Sequence, residues 1–258
     1  MRTIAVINQK GGVGKTTTSV NLAHAIAMVG RNIGRRVLAV DLDPQGHMAT
    51  SLGLHGVSHG LDSVLRGEQT LANAVLEARE NLDLLPPGER LGEFEGLDDS
   101  LPSDLTRLRR ALETSADYDF AIVDCPPSSG QLGMSAITAA DEILIPVSGD
   151  YLAMVGLSSL LASLEKHESA SGRSCVKWIL VTRFDGRRKH AQEVYSKLQE
   201  YFPQQLLPTV ISESVVLAES PSFGRTIFEH QGTSKSASEY ASLARDLISS
   251  LTAARKSA

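Results

Sequence analysis

One glycine-rich stretch near the amino terminus limits what this chain can fold into more than any other feature. The stretch Lys10–Thr17 reads Lys-Gly-Gly-Val-Gly-Lys-Thr-Thr, follows the apolar run Ile4–Ile7 and opens a segment with helical periodicity at 15–29. A strand, a glycine loop and a helix in this order place backbone N–H groups and the positive end of a helix dipole around one point. The stretch therefore predicts a binding site for phosphate.

The residue types within the loop indicate a nucleoside triphosphate bound with Mg²⁺. In such loops a lysine at the position of Lys15 reaches the β- and γ-phosphates, and a hydroxyl at the position of Thr16 binds the metal. The strict pattern has glycine at position 9, where this chain has Gln9, and this chain adds a second lysine, Lys10. The predicted nucleotide contacts in the loop are Lys10, Gly11, Gly12, Val13, Gly14, Lys15, Thr16 and Thr17.

The spelling Lys-Gly-Gly-x-Gly-Lys-Thr resembles the deviant Walker A motif of the ParA/MinD family of ATPases. In that family the early lysine, here Lys10, crosses a dimer interface and touches the partner's nucleotide. The resemblance therefore implies ATP and Mg²⁺ as cofactors, and a homodimer that forms when ATP binds. It also implies that Lys10 and Lys15 both serve the transfer of a phosphoryl group to water.

Short apolar runs alternate with helical patterns along nearly the whole chain. Most runs are continuous, as in parallel strands that are buried on both faces. We therefore expect an α/β P-loop fold with a doubly wound, mostly parallel sheet, helices on both faces and the ligand at the carboxyl ends of the strands. The predicted strands are Ile4–Ile7, Val37–Val40, Leu82–Leu85, Phe120–Val123, Ile143–Val147, Val176–Val181 and Leu206–Ile211, and the predicted helices are 15–29, 103–115, 130–139, 151–167, 189–201 and 236–251.

The composition fits a single cytoplasmic domain over residues 1–258. With 42% hydrophobic and 21% charged residues, the chain can bury a substantial core, and no linker divides it. The first strand starts too close to Met1 for a signal peptide, and no apolar run approaches the ~18–20 residues of a membrane span. The net charge of −5 means that any contact with nucleic acid has to come from a local basic patch.

Acidic residues stand where two of the predicted strands end. Asp41 and Asp43 close the second strand, and Asp124 closes Phe120–Val123. An acid at the end of a buried strand binds Mg²⁺ through water in P-loop proteins, which is the role we expect for Asp124. The family resemblance implies that Asp41 helps to hold the water shell of the metal and that Asp43 orients the attacking water. The segment Pro126–Gly130 is a candidate switch that senses the γ-phosphate.

Residues at the end of a later strand are candidates for two further roles. The family resemblance places Thr182 and Arg183 at the adenine. Arg187, Arg188 and Lys189 follow at the start of a predicted helix, where positive charge opposes the helix dipole. These three cations therefore either contact phosphate or form a solvated face.

The segment Val210–Arg225 resembles the late part of ParA proteins that act in chromosome partitioning. Those relatives carry basic residues where this chain has Glu213 and Val216, and such residues contribute to non-specific DNA binding. We therefore expect weak DNA binding through a reduced patch. The candidate DNA contacts are Arg187, Arg188, Lys189 and Arg225.

Two other patterns argue against a membrane anchor and a metal cluster. The tail 252–258 has no large apolar side chain, unlike the membrane-surface helix of MinD-like relatives. The related nitrogenase iron protein uses cysteines to bind an iron–sulfur cluster. Cys125 and Cys175 are instead expected to be inert, buried thiols. An apolar stripe at helical spacing predicts a core face in the last helix: Tyr240, Leu243, Ala244, Leu247, Ile248 and Leu251.

The resemblance implies a ParA-type ATPase that closes into an ATP-sandwich dimer and opens on hydrolysis. Its expected role is to position or segregate a cargo (a plasmid, a chromosome origin or a protein assembly) over the nucleoid, while an adaptor of the ParB kind stimulates hydrolysis. Two alternatives stay open: a membrane-surface regulator like MinD, and a metabolic enzyme that activates a small substrate with ATP, as dethiobiotin synthetase does. The acidic loop 86–102 either covers the sheet or touches the partner.

Overall fold

One sheet of eight strands runs through the part of the chain that the computed structural model describes. That part is residues 1–30, 34–56, 58–95, 104–115, 117–127 and 130–254, without the side chains of 151–153 and 250–254. The strands are β1 (Arg2–Val6), β2 (Val37–Asp41), β3 (Leu76–Arg79), β4 (Leu82–Leu85), β5 (Phe120–Asp124), β6 (Glu142–Ser148), β7 (Val176–Phe184) and β8 (Leu206–Ser212). The α-helices are α1 (Lys15–Gly30), α2 (His47–Ser51), α3 (Leu61–Leu65), α4 (Leu71–Ala74), α5 (Arg107–Glu113), α6 (Gln131–Ala139), α7 (Tyr151–Ser171), α8 (Lys189–Tyr201), α9 (Val215–Glu219), α10 (Ile227–Gln231) and α11 (Lys235–Ala254).

The strand order brings the ends of distant segments together. The sheet runs β3-β4-β2-β5-β1-β6-β7-β8, and neighbours are parallel except for β3 and β4. In the register of the sheet, Val6 at the end of β1 and Asp41 at the end of β2 both lie beside Asp124 at the end of β5. The glycine loop after β1 and the acids of β2 and β5 therefore meet at one edge, where α/β sheets bind ligands.

The predicted α/β fold is confirmed, and the differences lie at the ends of elements. Every predicted strand is present, but β2 includes Asp41, β5 includes Asp124 and β7 continues to Phe184. A search for apolar runs stops before these polar or partly exposed residues. The helix predicted at 103–115 covers only Arg107–Glu113, and residue 103 lies outside the described ranges.

The elements that the sequence did not predict are short or lie at an edge. β3 is an antiparallel edge strand that is only partly buried, and the turn after it places Asn81 in the left-handed region at a φ of 62°. The helices α2, α3, α4, α9 and α10 have four or five residues each, too few to show a helical period.

Two apolar layers form the core, one on each face of the sheet. Leu38 and Val40 belong to one layer, and Val37 and Ala39 belong to the other, because successive side chains of a strand point to opposite faces. Helices α5 to α8 contribute to the first layer, and α1 and α11 contribute to the second. Burial on both faces explains why the strands appear in the sequence as continuous apolar runs.

The stripe in the last helix is a core face, as predicted. Tyr240, Leu243, Ala244 and Leu247 are buried, and Ile248 packs against the same layer. The side chain of Leu251 and the end of the tail, 255–258, lie outside the described part, so the prediction about membrane contact stays a prediction. Among the described residues, no helix has the length and apolar character that crossing a membrane requires.

The described part of the acidic loop packs against the body of the protein. The carbonyl of Pro86 accepts a hydrogen bond of 2.8 Å from the amide of Leu61, and Leu91 is fully buried in the core. Residues 86–95 are therefore fixed to the body of the protein beside α3. The remainder of the predicted loop, 96–102, lies outside the described ranges.

Candidate nucleotide site

The loop between β1 and α1 has the shape that an anion-binding loop requires. Gly12 and Gly14 have φ angles of 74° and 88°, in the left-handed region that favours glycine. The amide of Thr18 donates to the carbonyl of Gly14 at 2.8 Å, which closes the first turn of α1 directly after the loop. On its inner side the loop is fixed to β7, because the Thr182 hydroxyl donates to the carbonyl of Val13 at 2.8 Å.

Lys15 is buried beneath this loop, although it carries a charge. Its Nζ donates to the carbonyl of Lys10 at 3.4 Å. Burial lowers the pKa of Lys15, while the negative charges of Asp124 and Asp43 act in the opposite direction. The ammonium group is therefore short of counter-charge in a place where a phosphate would supply it.

Asp124 is fully buried and lies between two hydroxyl groups of α1. The Thr16 hydroxyl donates to Oδ2 at 2.7 Å, and the Ser19 hydroxyl donates to Oδ1 at 2.9 Å. Burial raises the pKa of Asp124 to about 6, and the two hydrogen bonds oppose that rise. Thr16 and Asp124 thus lie together, as the sequence predicts for two residues that share a metal, whereas Ser19 carries no motif and was not predicted.

Asp41 and Asp43 differ in burial and in their hydrogen-bond partners. Asp41 is fully buried, and its Oδ2 accepts the Met48 amide at 3.0 Å while its Oδ1 accepts the Asp43 amide at 3.2 Å. Burial, with the neighbouring charge of Asp124, raises the pKa of Asp41 well above its usual value. Asp43 lies on the turn after β2, half-buried, where its Oδ1 accepts the amide of Gln45 at 3.0 Å.

The oxygen atoms at this edge fit Mg²⁺. The hydroxyl of Thr16 and the carboxylates of Asp124 and Asp41 are hard donors, and burial raises the pKa of Asp124 to about 6 although the charge of Lys15 acts in the opposite direction. Within the described residues, no group of three or more His, Cys, Asp and Glu side chains could hold a metal by itself. Mg²⁺ is usually bound by one or two protein carboxylates together with phosphate and water.

A cavity of about 460 Å³ opens beside the loop. Thr182 and Arg183, predicted at the adenine, line it together with Tyr240 and the segment 211–218. The Tyr240 hydroxyl lies 3.4 Å from the hydroxyl of Thr18, so α11 forms part of the wall. The sequence did not predict this role for Tyr240, because the residue also belongs to the apolar stripe of its helix.

Lys10 is exposed at the outer side of the loop, and its Nζ donates to both carboxylate oxygens of Asp150, at 2.7 and 2.8 Å. The hydroxyl of Ser148 also donates to Asp150, at 2.7 Å. Both side chains of the pair are more than two-fifths exposed, so water screens the attraction. Lys10 can therefore change partners at low cost.

Two of the predicted DNA-binding arginines, Arg187 and Arg188, are paired with acids. Arg187 contacts Asp185 at 2.8 and 3.0 Å, which lowers the pKa of Asp185 to about 2. Arg188 lies 3.3 Å from Asp185 and 3.5 Å from Glu213. Glu213 also accepts from Arg183 at 3.2 Å.

The other candidates for DNA contact differ in where they lie. Lys189 begins α8 and is exposed, as predicted. Arg225 is also exposed, but no hydrogen bond or ion pair of the described residues joins it to Arg187 or Arg188. Val216, where a cation was expected from the family resemblance, packs against the core.

The two cysteines lie at opposite ends of the parallel strands. Cys125 follows the carboxyl end of β5 and is buried, which raises the pKa of its thiol well above the usual value. Cys175 precedes β7 and is only half-buried, so the expectation of full burial was wrong for it. Partial burial and a hydrogen bond to Glu168 raise the pKa of Cys175 to about 12, which keeps it protonated and unreactive.

The loop, the acids and the cavity define a P-loop nucleotide-binding protein with a second lysine in its loop. The profile of a family described as "AAA domain" matches residues 1–174. The chain is 39% identical to the chromosome-partitioning ATPase Soj of Thermus thermophilus, over 96% of both chains, and 38% identical to the sporulation initiation inhibitor protein Soj of Bacillus subtilis, over 95% of this chain and 97% of that protein.

A solved structure of cobyrinic acid a,c-diamide synthase from Mycobacterium smegmatis, with bound ATP analogue and magnesium, superposes with a TM-score of 0.81. It is 31% identical, over 96% of this chain and 94% of that one. Together with the site, these similarities identify the family. The chain belongs to the ParA/MinD family of ATPases.

The raised pKa of Asp124 makes the stability of the metal-free protein depend on pH. A carboxyl group whose pKa rises from 3.8 to about 6 on folding stabilises the folded state below pH 3.8, and this contribution is lost as the pH rises through 6. Two pKa units correspond to about 3 kcal/mol. In Asp124→Asn this loss is absent. Between pH 4 and pH 7 we therefore expect the free energy of unfolding of the variant to rise by about 3 kcal/mol relative to that of wild type, measured by urea unfolding with EDTA. Equal pH profiles of the free energy of unfolding would contradict the raised pKa of Asp124. The control is Glu219→Gln, at an exposed position, which should have the pH profile of wild type.

Proposed function

We propose that this ATPase positions or segregates an intracellular cargo by cycling between a monomer and an ATP-sandwich homodimer. The observation that carries the proposal is the second lysine of the loop, Lys10, exposed beside the phosphate site on a weakly held ion pair. The Soj relatives, one of them named as a chromosome-partitioning ATPase, support a cargo such as a plasmid, a chromosome origin or a protein assembly. The protein would work in the cytoplasm on the nucleoid, with an adaptor of the ParB kind that stimulates hydrolysis.

The chain is an ATPase that uses Mg²⁺, and the proposed chemistry is transfer of the γ-phosphoryl group to water. Lys15 and the amides of Gly11–Thr17 would bind the phosphates, and the hydroxyl of Thr16 with Asp41 and Asp124 would hold Mg²⁺, directly or through water. When bound, the metal neutralises charge that develops on the phosphate oxygens. Asp43, on the turn beside Lys15, would orient the attacking water.

The base and sugar would occupy the cavity of about 460 Å³. The carbonyl of Val13 already holds Thr182 in its wall, and the guanidinium group of Arg183 donates to the carbonyl of Gly12 at 3.1 Å. The base would therefore lie between the phosphate loop and the segment 211–218. This arrangement supports the proposed adenine contacts of Thr182 and Arg183.

The likeness to a synthase supports a metabolic enzyme as a second candidate. Such an enzyme needs a pocket for its other substrate next to the γ-phosphate. The cleft of about 180 Å³ beside Lys10, Gly11 and Gly12 is the place to look for that substrate. The Soj relatives, at 39% and 38% identity against 31% for the synthase, favour the positioning ATPase.

Substitution of Asp43 tests the proposed chemistry. We expect Asp43→Ala to bind ATP and to dimerise, but to hydrolyse at least about 100-fold more slowly, because the attacking water loses its orienting group. Phosphate release under saturating ATP measures the rate, and light scattering with ATP measures the dimer. Turnover at the wild-type rate would remove Asp43 from the mechanism, and Glu219→Ala, which removes an exposed acid, should hydrolyse normally.

Substitution of Lys10 tests the sandwich dimer. Lys10→Ala should bind ATP as a monomer, because the cation that would cross the interface is gone. Asp150→Ala is the matched control, since it removes the same ion pair but keeps the lysine, and it should still dimerise. Light scattering with a non-hydrolysable ATP analogue measures both variants, and a Lys10→Ala dimer of normal affinity would overturn the assignment.

The arginine cluster supports non-specific DNA binding that is weak and depends on ATP. Its three arginines, at 183, 187 and 188, share the negative charges of Asp185 and Glu213, so little positive charge is left for phosphate. Lys189 and Arg225 would add to the patch, and dimerisation would double it. A larger patch releases more counterions, so the binding affinity falls more steeply as the salt concentration rises.

Charge substitutions test the DNA surface. Combined Arg187→Glu and Arg188→Glu should abolish ATP-dependent binding to a random duplex and leave basal ATPase activity intact, because the ion pairs of both side chains join them to Asp185 and Glu213 and not to the phosphate loop. Glu213→Gln should bind more tightly than wild type, with a steeper salt dependence. Fluorescence anisotropy at several salt concentrations measures binding, with Glu219→Gln as the matched control. If the double variant binds like wild type, the patch lies elsewhere.

A further inference from the structure

Ser19 contacts the buried acid of the site, although no sequence motif marks it. Ser19 follows Thr16 by three residues on α1, so both hydroxyl groups lie on one face of the helix. Ser19 is fully buried and donates to Oδ1 of Asp124 at 2.9 Å, while Thr16 donates to Oδ2 at 2.7 Å. Each carboxylate oxygen of Asp124 thus has its own hydroxyl donor.

The two hydroxyl groups would differ once Mg²⁺ is present. Thr16 would bind the metal through its oxygen, so its position would depend on the metal. Ser19 points to the other carboxylate oxygen, so it can hold Asp124 in the same orientation with and without metal. A carboxylate that is already oriented loses less freedom when it takes up the water shell of the ion.

The single proton of the Ser19 hydroxyl has two acceptors within reach. The carbonyl of Lys15, four residues earlier in the helix, lies at 3.0 Å, and Oδ1 of Asp124 lies at 2.9 Å. A hydrogen bond to an ionised carboxylate is about twice as strong as one to a neutral carbonyl. The proton therefore goes to Asp124 whenever that carboxylate carries its charge.

We propose that Ser19 is a positioning residue, which fixes the carboxylate of Asp124 in the orientation that binds the water shell of Mg²⁺. The proposal rests on the metal role of Asp124 in the proposed function. Loss of a group that orients a metal ligand commonly lowers metal affinity by 10- to 100-fold. Removal of the Ser19 hydroxyl should therefore weaken Mg²⁺ binding and leave binding of the metal-free nucleotide unchanged.

Ser51 offers a matched control within the same chain. It is also a buried helical serine, and it donates to the carbonyl four residues earlier, that of His47, at 2.7 Å. Within the described hydrogen bonds it has no contact with Asp124. Ser51→Ala therefore removes the same atom and the same type of helix contact as Ser19→Ala.

The experiment is a titration of Mg²⁺ against each variant with a fluorescent ADP analogue, together with nucleotide binding in EDTA. We expect Ser19→Ala to need about tenfold more Mg²⁺ for half-saturation, with wild-type affinity in EDTA, and Ser51→Ala to match wild type in both. If Ser19→Ala and Ser51→Ala have the same Mg²⁺ requirement, the proposal is wrong.

Asp124→Asn, measured in the same titration, separates this proposal from the one on which it rests. A raised Mg²⁺ requirement in Asp124→Asn without one in Ser19→Ala overturns the role of Ser19 alone. An unchanged requirement in Asp124→Asn overturns the metal role of Asp124, and the role of Ser19 falls with it. A raised requirement in both variants supports both proposals.

Discussion

The buried charge of Asp124 is the constraint around which this structure is arranged. A carboxylate that is fully buried at the end of a central strand loses its hydration, and the protein compensates with hydrogen bonds from Thr16 and Ser19. These two bonds tie the amino-terminal half of α1 to β5, so the phosphate loop between β1 and α1 has a fixed end. The remaining electrostatic deficit shows as a raised pKa, and a cation would remove it.

Cations and acids near the loop already have partners within the chain. In the proposed function, a ligand or a second protomer would replace those partners. Lys10 is held by Asp150, and Arg183 and Arg188 share Glu213. Because the side chains are exposed, each pair contributes little to stability. A nucleotide, a second protomer or a DNA phosphate would therefore displace the acid at small cost.

The sequence predicts the parts of this site that lie in continuous motifs. The loop, the strand-end position of Asp124 and every long element follow from apolar runs and glycine spacing, whereas the roles of Asp41 and Asp43 come from the family resemblance. Ser19, Tyr240 and Asp150 could not be predicted in the same way. Ser19 and Tyr240 look like ordinary helix residues, and each gains its role only from a contact with a segment far away in the sequence. Such contacts depend on strand order, which the pattern of a single segment does not contain.

Arg183, which has a strained backbone, lies between two cavities of the site. Arg183 is a non-glycine residue with a φ of 50°, and such a conformation costs on the order of 1–3 kcal/mol. It directs the guanidinium group back to the carbonyl of Gly12 and to Glu213. Arg183 and Glu213 then form the wall between the 460 Å³ cavity and a smaller cleft of about 180 Å³ that contains Lys10 and Arg188. Because one ion pair borders both spaces, a charged ligand in the 460 Å³ cavity would change the electrostatic potential at Arg187 and Arg188.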